Sequence, residues 1–290
     1  MNAFLAAVLT ATAPVVPAAL GGLLCAAAGV FNMALEGQLL WGAFTAVLAS
    51  HVTGSAWAGV AGAVLATTLY ALLLSVPAVT FRADPVVVAV GTNLLALGLT
   101  AFLMRQLFGS GGTFSPPGLA GLPPLASLGL DVPVLGPQSP LVPVALALVA
   151  WAGWWLRRTR SGLRLRGVGE HAEAAASIGL RVPRYQHAAV LGAGALCGLG
   201  GAQLALGNVT LFSEGMSAGR GWVAVVAVML AGVRPWLGLG ACLLFGAAEA
   251  LGFRLQGLGL PQQAADAAPY LITLLALVVA AAARRKERTA

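Results

Sequence analysis

The stretch RGVGEHAEAAASIGLRVPRY, Arg166–Tyr185, is a polar, helix-prone island in a chain made largely of Ala, Leu, Val and Gly. Glu170 and Glu173 stand where a helix would begin, and a helix dipole favours negative charge there. Gly179 can end that helix in a left-handed conformation, and Pro183 prevents its continuation. Ala172, Ala175, Ala176 and Gly179 follow the i, i+3, i+4, i+7 spacing of one helical face, all small. Glu170, Glu173 and Ser177 fall on a neighbouring polar face. The reading is a short helix flanked by arginines that buries little against its own chain and docks into something else. Such a helix decides the fold only in the context of what surrounds it.

That context is lipid. Of 290 residues, 59% are hydrophobic and 9% charged, with a mean hydropathy of +0.90. An ordinary soluble domain is about 25% charged. So few charges cannot cover a globule in water, which predicts an all-α polytopic membrane protein. Apolar spans of helix length recur near 3–28, 33–50, 56–80, 86–108, 141–157, 187–207, 219–233, 236–253 and 268–283. That makes about nine transmembrane or broken helices and one coupling helix, in a single domain over 1–290. The spans at 33–50 and 219–233 are short or Gly-interrupted and read as candidates for broken helices. The first span lacks a positive n-region, since no Lys or Arg precedes Arg82, so it reads as a retained helix containing Pro14 and Pro17 rather than a signal peptide.

The net charge of +7 would suit nucleic acid on a soluble protein. Here the basic residues sit in short segments between apolar spans, a topology signal and not a basic face. With segment 157–186 in the cytoplasm, thirteen of the sixteen Lys and Arg fall inside; only Arg105, Arg220 and Arg254 fall outside. This places the C-terminus in the cytoplasm and the N-terminus outside. Segment 109–140 becomes an extracytoplasmic loop; its Gly and Pro content forbids a long helix, leaving a passive loop or a docking surface.

Chemistry-bearing clusters are sparse. Cys25, Cys197 and Cys242 lie far apart in apolar spans, without metal or disulfide spacing. His51, His171 and His187 have no partner at metal spacing, so no metal site is expected. An intramembrane enzyme needs a nucleophile with a base, and neither pattern occurs. The one lysine, Lys286, lies in the tail, so the chain lacks the Lys of a P-loop ATPase.

Glu173-Ala174-Ala175 with Gly179 fits E-A-A-x-x-x-G, which resembles the coupling loop of bacterial ABC importer permeases. GVFNMALEGQLLWGAF (Gly29–Phe44) resembles the nucleoside and basic-membrane-lipoprotein branch, whose members read close to G-x-x-N-I-A-L-E-G. VGTNLLALGLTAFLMRQLFG (Val90–Gly109) and SAGRGWVAVVAVMLAGVRPWLGLGACLLFG (Ser217–Gly246) resemble further segments of that branch, in the same order. Met33 replaces the usual Ile, and Pro116–Pro140 has no match.

The resemblance implies a type II-like permease subunit of an ATP-driven importer. It implies alternating access, a multi-pass place in the bacterial inner membrane, and nucleosides as substrate. Simple sugars or another small polar solute remain alternatives. The implied partners are an ATPase subunit carrying ATP and Mg²⁺, an extracytoplasmic binding protein and a second permease, a heterodimer being favoured. Gly169, Glu170, Glu173, Ala174, Ala175 and Gly179 become the candidate contact with the ATPase.

Polar residues inside spans are the other candidates. A carboxylate at mid-bilayer costs about 2.5–3.5 kcal/mol on insertion scales, so Glu36 should face a cavity or a partner. Asn32 lies one turn before it. The two line or brace the translocation path, or Glu36 pins a broken helix. Asn93 suits sugar hydroxyls or base edges, or an interhelical hydrogen bond. Glu249 is equally a packing or a pathway residue, and thin support for an ion-coupled secondary transporter, which would leave the island helix unexplained.

Overall fold

A computed structural model describes residues 2–109, 111–129 and 134–256. It is helical nearly throughout. In chain order the helices are α1 (Asn2–Thr12), α2 (Val15–Ala27), α3 (Leu35–Thr53), α4 (Ala56–Tyr70), α5 (Leu72–Ser75), α6 (Pro85–Phe108), α7 (Leu141–Arg158), α8 (Arg160–Glu170), α9 (Ala172–Ser177), α10 (Val182–Ala202), α11 (Arg220–Ala231) and α12 (Pro235–Gln256). π-helical turns extend α5 over Val76–Thr80 and α10 over Gln203–Asn208.

Several ends are written in the residues beside them. Ser55 caps α4 by accepting from the Ala58 N–H. The Asp84 carboxylate accepts from the N–H groups of Val86 and Val87, with Pro85 opening α6. α3 and α6 end on the left-handed glycines Gly54 and Gly109.

The first predicted span is two helices. α1 and α2 meet at 43° across Ala13 and Pro14, because a proline cannot donate to the preceding turn. Conversely, the span read as interrupted near 33–50 is one continuous helix of 19 residues, starting after a non-helical run over 29–34. Four helical stretches are long and apolar enough to cross a bilayer: Ala56–Thr80, Pro85–Phe108, Val182–Asn208 and Pro235–Arg254. The bent α1–α2 pair makes five. The expected nine crossings therefore correspond to fewer full-length apolar helices among the described residues. α3 carries Glu36, Gln38 and His51, α7 ends in Arg157 and Arg158, and α11 has only 12 residues. The ninth span, 268–283, and the basic tail after it lie outside the described residues.

α10 and α3 form the centre. α10 packs on α2, α3 and α4; α3 packs on α4, α6, α10 and α11. Glycines let the backbones meet. A Cβ on Gly198 would stand 2.6 Å from the Ala63 carbonyl, and one on Gly201 would overlap the backbone of Ala43. α1 lies against α12, and α11 is held between α2 and α12. By contrast α6 is only 22% buried over its span, exposing Val87, Leu94 and Phe102.

Among its described residues, the Gly- and Pro-rich segment after α6 makes no long helix. It has one 3₁₀ turn, Leu125–Leu128. It is folded onto the protein rather than hanging free. Its strand β1 (Thr113–Phe114) pairs antiparallel with β2 (Phe212–Ser213). The Leu122 N–H donates to the Leu206 carbonyl at 2.9 Å, and Ser50 Oγ donates to Ala120 O at 2.7 Å. Phe114 stacks on Phe108.

Gly201→Ala should lower the melting temperature of the detergent-purified protein, since overpacking commonly costs about 1–3 kcal/mol. Gly98→Ala, on the open face of α6 with no atom within 4 Å of an added Cβ, should not. Differential scanning fluorimetry separates the two.

Candidate functional site

The residues marked by the sequence gather around the start of α3. The Glu36 carboxylate reaches across to the start of α11. Its Oε1 accepts from Ser217 Oγ at 2.6 Å and from the Gly219 N–H at 2.9 Å. Its Oε2 accepts from the Gly221 N–H at 2.7 Å. Glu36 is thus the cap of a neighbouring helix: N–H groups that α11 cannot satisfy itself converge on one carboxylate, at the positive end of its dipole. α11 has 12 residues, about 18 Å at 1.5 Å per residue, against a hydrocarbon core of about 30 Å. A helix that short must begin within the protein, and its first turn needs an internal partner.

The sequence around α11 is built for this contact. Gly219 takes φ +84, open to few residues but glycine. Gly221 has no room for a side chain, because its Cβ would overlap the Glu36 backbone. Arg220 between them turns away and pairs with Glu249 of α12 at 2.7 Å. Glu36 and Glu249 therefore grip opposite sides of one short segment.

Asn93 and Asn32 complete the brace. Asn93 Oδ1 accepts from the Gly37 N–H at 2.8 Å, and its Nδ2 donates to Met33 O at 3.0 Å, tying α6 to α3. A Cβ on Gly37 would press on Asn93. Asn32 is buried; its Oδ1 accepts from the Ala34 N–H and its Nδ2 donates to Gln38 Oε1 at 3.4 Å. The carboxamides of Asn32 and Asn93 are both engaged by their own chain.

The island differs from its prediction in one respect. It is two helices, broken at His171. Glu170 ends α8 and pairs with Arg166 at 3.3 Å, i to i+4, so it does not sit in a first turn. Glu173 does, in α9. Gly179 has φ +85 and closes α9, with the Gly179 N–H donating to Ala176 O and the Leu180 N–H to Ala175 O. Pro183 opens α10 rather than merely ending α9. Ala175 alone of the α9 residues is buried; Glu173, Ala174, Ala176 and Ser177 are exposed. Gly169 seats the island: its Cβ would meet the Gly29 N at 2.8 Å and overlap the Ala27 carbonyl. So Gly29, which begins the GVFNMALEG stretch, touches the island, and Glu36 of the same stretch holds α11.

The roles of Gly29, Ser217, Gly219, Arg220 and Gly221 escape a reading by residue type. The signal was present as SAGRG directly before an apolar run, a glycine-flanked charge at a helix start.

Comparison with known proteins decides the family. The branched-chain amino acid transport system permease component family matches residues 4–281. The chain belongs to this permease family. This permease is 34% identical over 288 residues to the guanosine ABC transporter permease NupQ of Bacillus subtilis, covering 93% of this chain and 89% of that protein. It is 29% identical over 297 residues to the nucleoside ABC transporter permease NupC of Lactococcus lactis, covering 96% and 92%. A putative glucose ABC transporter permease of Haloferax volcanii is 34% identical over 257 residues, covering 84% and 74%, and a second glucose permease of that organism is 28% identical over 250 residues, covering 77% and 62%. The chain is therefore a multi-pass transport subunit and not an enzyme; ATP hydrolysis belongs to a separate subunit.

Glu36→Gln should cost more stability than Ser217→Ala. It replaces a charged cap shared by three donors, and hydrogen bonds to charged groups are worth about 1.5–3 kcal/mol each. Thermal unfolding of the purified permease should rank native above Ser217→Ala above Glu36→Gln. Equal midpoints for all three would remove the cap from the ledger of interactions holding α11.

Proposed function

We propose that this chain is the permease subunit of a nucleoside importer, driven through α9 by its ATPase partner. The observation that carries the coupling reading is the exposed α9 on a glycine-tight seat. Its outward residues Glu173, Ala174 and Ser177 are left uncovered by the described residues, while Gly169 packed against Gly29 gives movement of the island a direct contact with the core. Nucleosides are favoured by the two long alignments with permeases named for guanosine and nucleosides. The two glucose permeases, one of them also 34% identical, align over less of both chains.

The mechanism is alternating access. An ATPase subunit and a substrate-binding protein work with this permease; ATP and Mg²⁺ are bound by the ATPase. The binding protein delivers substrate to the outer face. ATP binding draws the ATPase domains together and carries α9 with them. Gly169 passes the displacement to the Gly29–Glu36 segment, and Glu36 transmits it to α11. Asn32, Glu36, Asn93 and Glu249 brace the wall of the path by fixing α3, α6, α11 and α12 relative to one another. A second, different permease chain completes the path, and segment 157–186 and the C-terminus face the cytoplasm.

Glu173→Lys, or Gly179→Val, should abolish nucleoside uptake and ATPase co-purification while leaving membrane insertion unchanged. Radiolabelled guanosine uptake in cells expressing the complete transporter reads the first, and affinity pull-down reads the second. Normal uptake by a well-expressed Glu173→Lys variant would sink the coupling assignment. Uptake of glucose in place of guanosine would keep the coupling and replace the substrate.

A further inference from the structure

The junction between α9 and α10 carries a shallow open cavity of about 460 Å³ lined by Gly179, Leu180, Arg181, Arg184, Tyr185 and Ala188. Arg181 and Arg184 are exposed, and neither guanidinium has a carboxylate partner among the described residues. Arg105, Arg166 and Arg220 pair with Glu214, Glu170 and Glu249, whereas these two, like Arg157 and Arg158, have no such pair among the described residues; what sets them apart is that both line one cavity. Two unmatched guanidiniums on one cavity are a receptor for an anion, and their planar forks suit the oxygens of a phosphate.

The floor of the cavity identifies the anion's attachment. Below Ala188, α10 runs on as a stripe of partly exposed apolar residues at helical spacing: Leu191, Gly192, Ala195 and Leu199. Gly192 leaves the stripe shallow, with only Leu24 Cδ1 within 4 Å of an added Cβ. Tyr185 stands half-buried at the boundary, the usual place of an aromatic with a polar tip at a membrane–water interface. A carboxylate on a soluble partner has no use for an apolar stripe running away from the arginines. A phospholipid uses both.

We propose that Arg181, Arg184 and Tyr185 form a headgroup site for an anionic phospholipid, whose acyl chain lies along the Ala188–Leu199 stripe of α10. Basic pockets between membrane helices take such headgroups. The site adjoins Gly179, the cap of α9, so bound lipid steadies the junction on which the island pivots. It requires neither the nucleoside assignment nor the ATPase contact.

The test is thermal unfolding of the full-length purified permease in mixed micelles containing phosphatidylglycerol or phosphatidylcholine. Phosphatidylglycerol should raise the midpoint by several degrees over phosphatidylcholine. In Arg181→Gln/Arg184→Gln that difference should at least halve, and native mass spectrometry should show fewer retained phosphatidylglycerol molecules. Arg157→Gln/Arg158→Gln, which removes equal charge elsewhere, should keep the difference. Equal loss in both double variants, or none in either, would overturn the site. Full stabilisation by inorganic phosphate alone would reassign it to a soluble anion. An ATPase subunit lost from Arg181→Gln/Arg184→Gln with the lipid difference intact would reassign it to the protein partner.

Discussion

The carboxylate of Glu36 against the first turn of α11 is the contact on which the interior depends. α11 is too short to reach across a bilayer, so it starts against the protein, and its leading N–H groups need a partner there. One charged side chain from α3 answers Gly219 and Gly221 together, and Ser217 besides. That solution has geometric demands. Gly221 must be a glycine for Glu36 to come close, and Gly37 must be one for Asn93 to close the other side. The L-E-G and G-R-G elements are therefore two halves of one joint, more than 180 residues apart in the chain.

The same requirement explains how a helix at the centre of the molecule can carry polar residues. α3 is mostly buried, and its neighbours α4, α6, α10 and α11 take the place of lipid. A helix solvated by protein can carry Glu36 and Thr45, because their oxygens can be aimed at partners: Glu36 at the start of α11, and Thr45 back at the Trp41 carbonyl of its own turn. Gln38 is met on one side only: its Oε1 accepts from Asn32, while its buried Nε2 has no partner among the described residues. α6 faces outward over most of its length, and two of its residues meet α3 and α4 through polar groups: Asn93 on the Gly37 N–H, and Thr92, whose carbonyl accepts from the Tyr70 hydroxyl at 2.6 Å. Polarity in this protein tracks what a helix touches, and hydropathy alone ranks its helices in the wrong order of centrality.

This accounts for what could be read from the residues and what could not. Helix type, the apolar spans of α6, α10 and α12, and the small exposed helix of the island follow from composition, spacing and caps, which are local. Gly179 as a left-handed terminator was legible for that reason, and so was Glu173 in a first turn. The break at His171 was not. Glu170 satisfies itself backwards with Arg166, a choice that depends on α8 continuing upstream through an arginine-rich run that has no apolar face obvious from the sequence. Pairing was out of reach for the same reason: nothing near Glu36 in the chain points to Ser217, and nothing near Arg220 points to Glu249. A lone charge in an apolar span announces that a partner exists and is silent on which one.

The joint and the island are linked by six residues of non-helical chain. Gly29 touches Gly169, Asn32 turns the backbone through its bond to the Ala34 N–H, and Glu36 follows one turn later on α3. A helix in that place would be a longer lever, but it would have to bend to reach both ends. A short non-helical link braced by a buried asparagine reaches both ends without bending a helix. In the proposed coupling, displacement at α8 and α9 has two exits. One runs through Glu36 into α11 and, by Arg220, into α12. The other runs along α10, whose glycine contacts with α2, α3 and α4 leave little room to slide. The stiff route holds the frame, and the polar route is the one whose bonds can be exchanged. A path that opens and closes needs both, because hydrogen bonds can re-form at a new register while interlocked glycine backbones cannot.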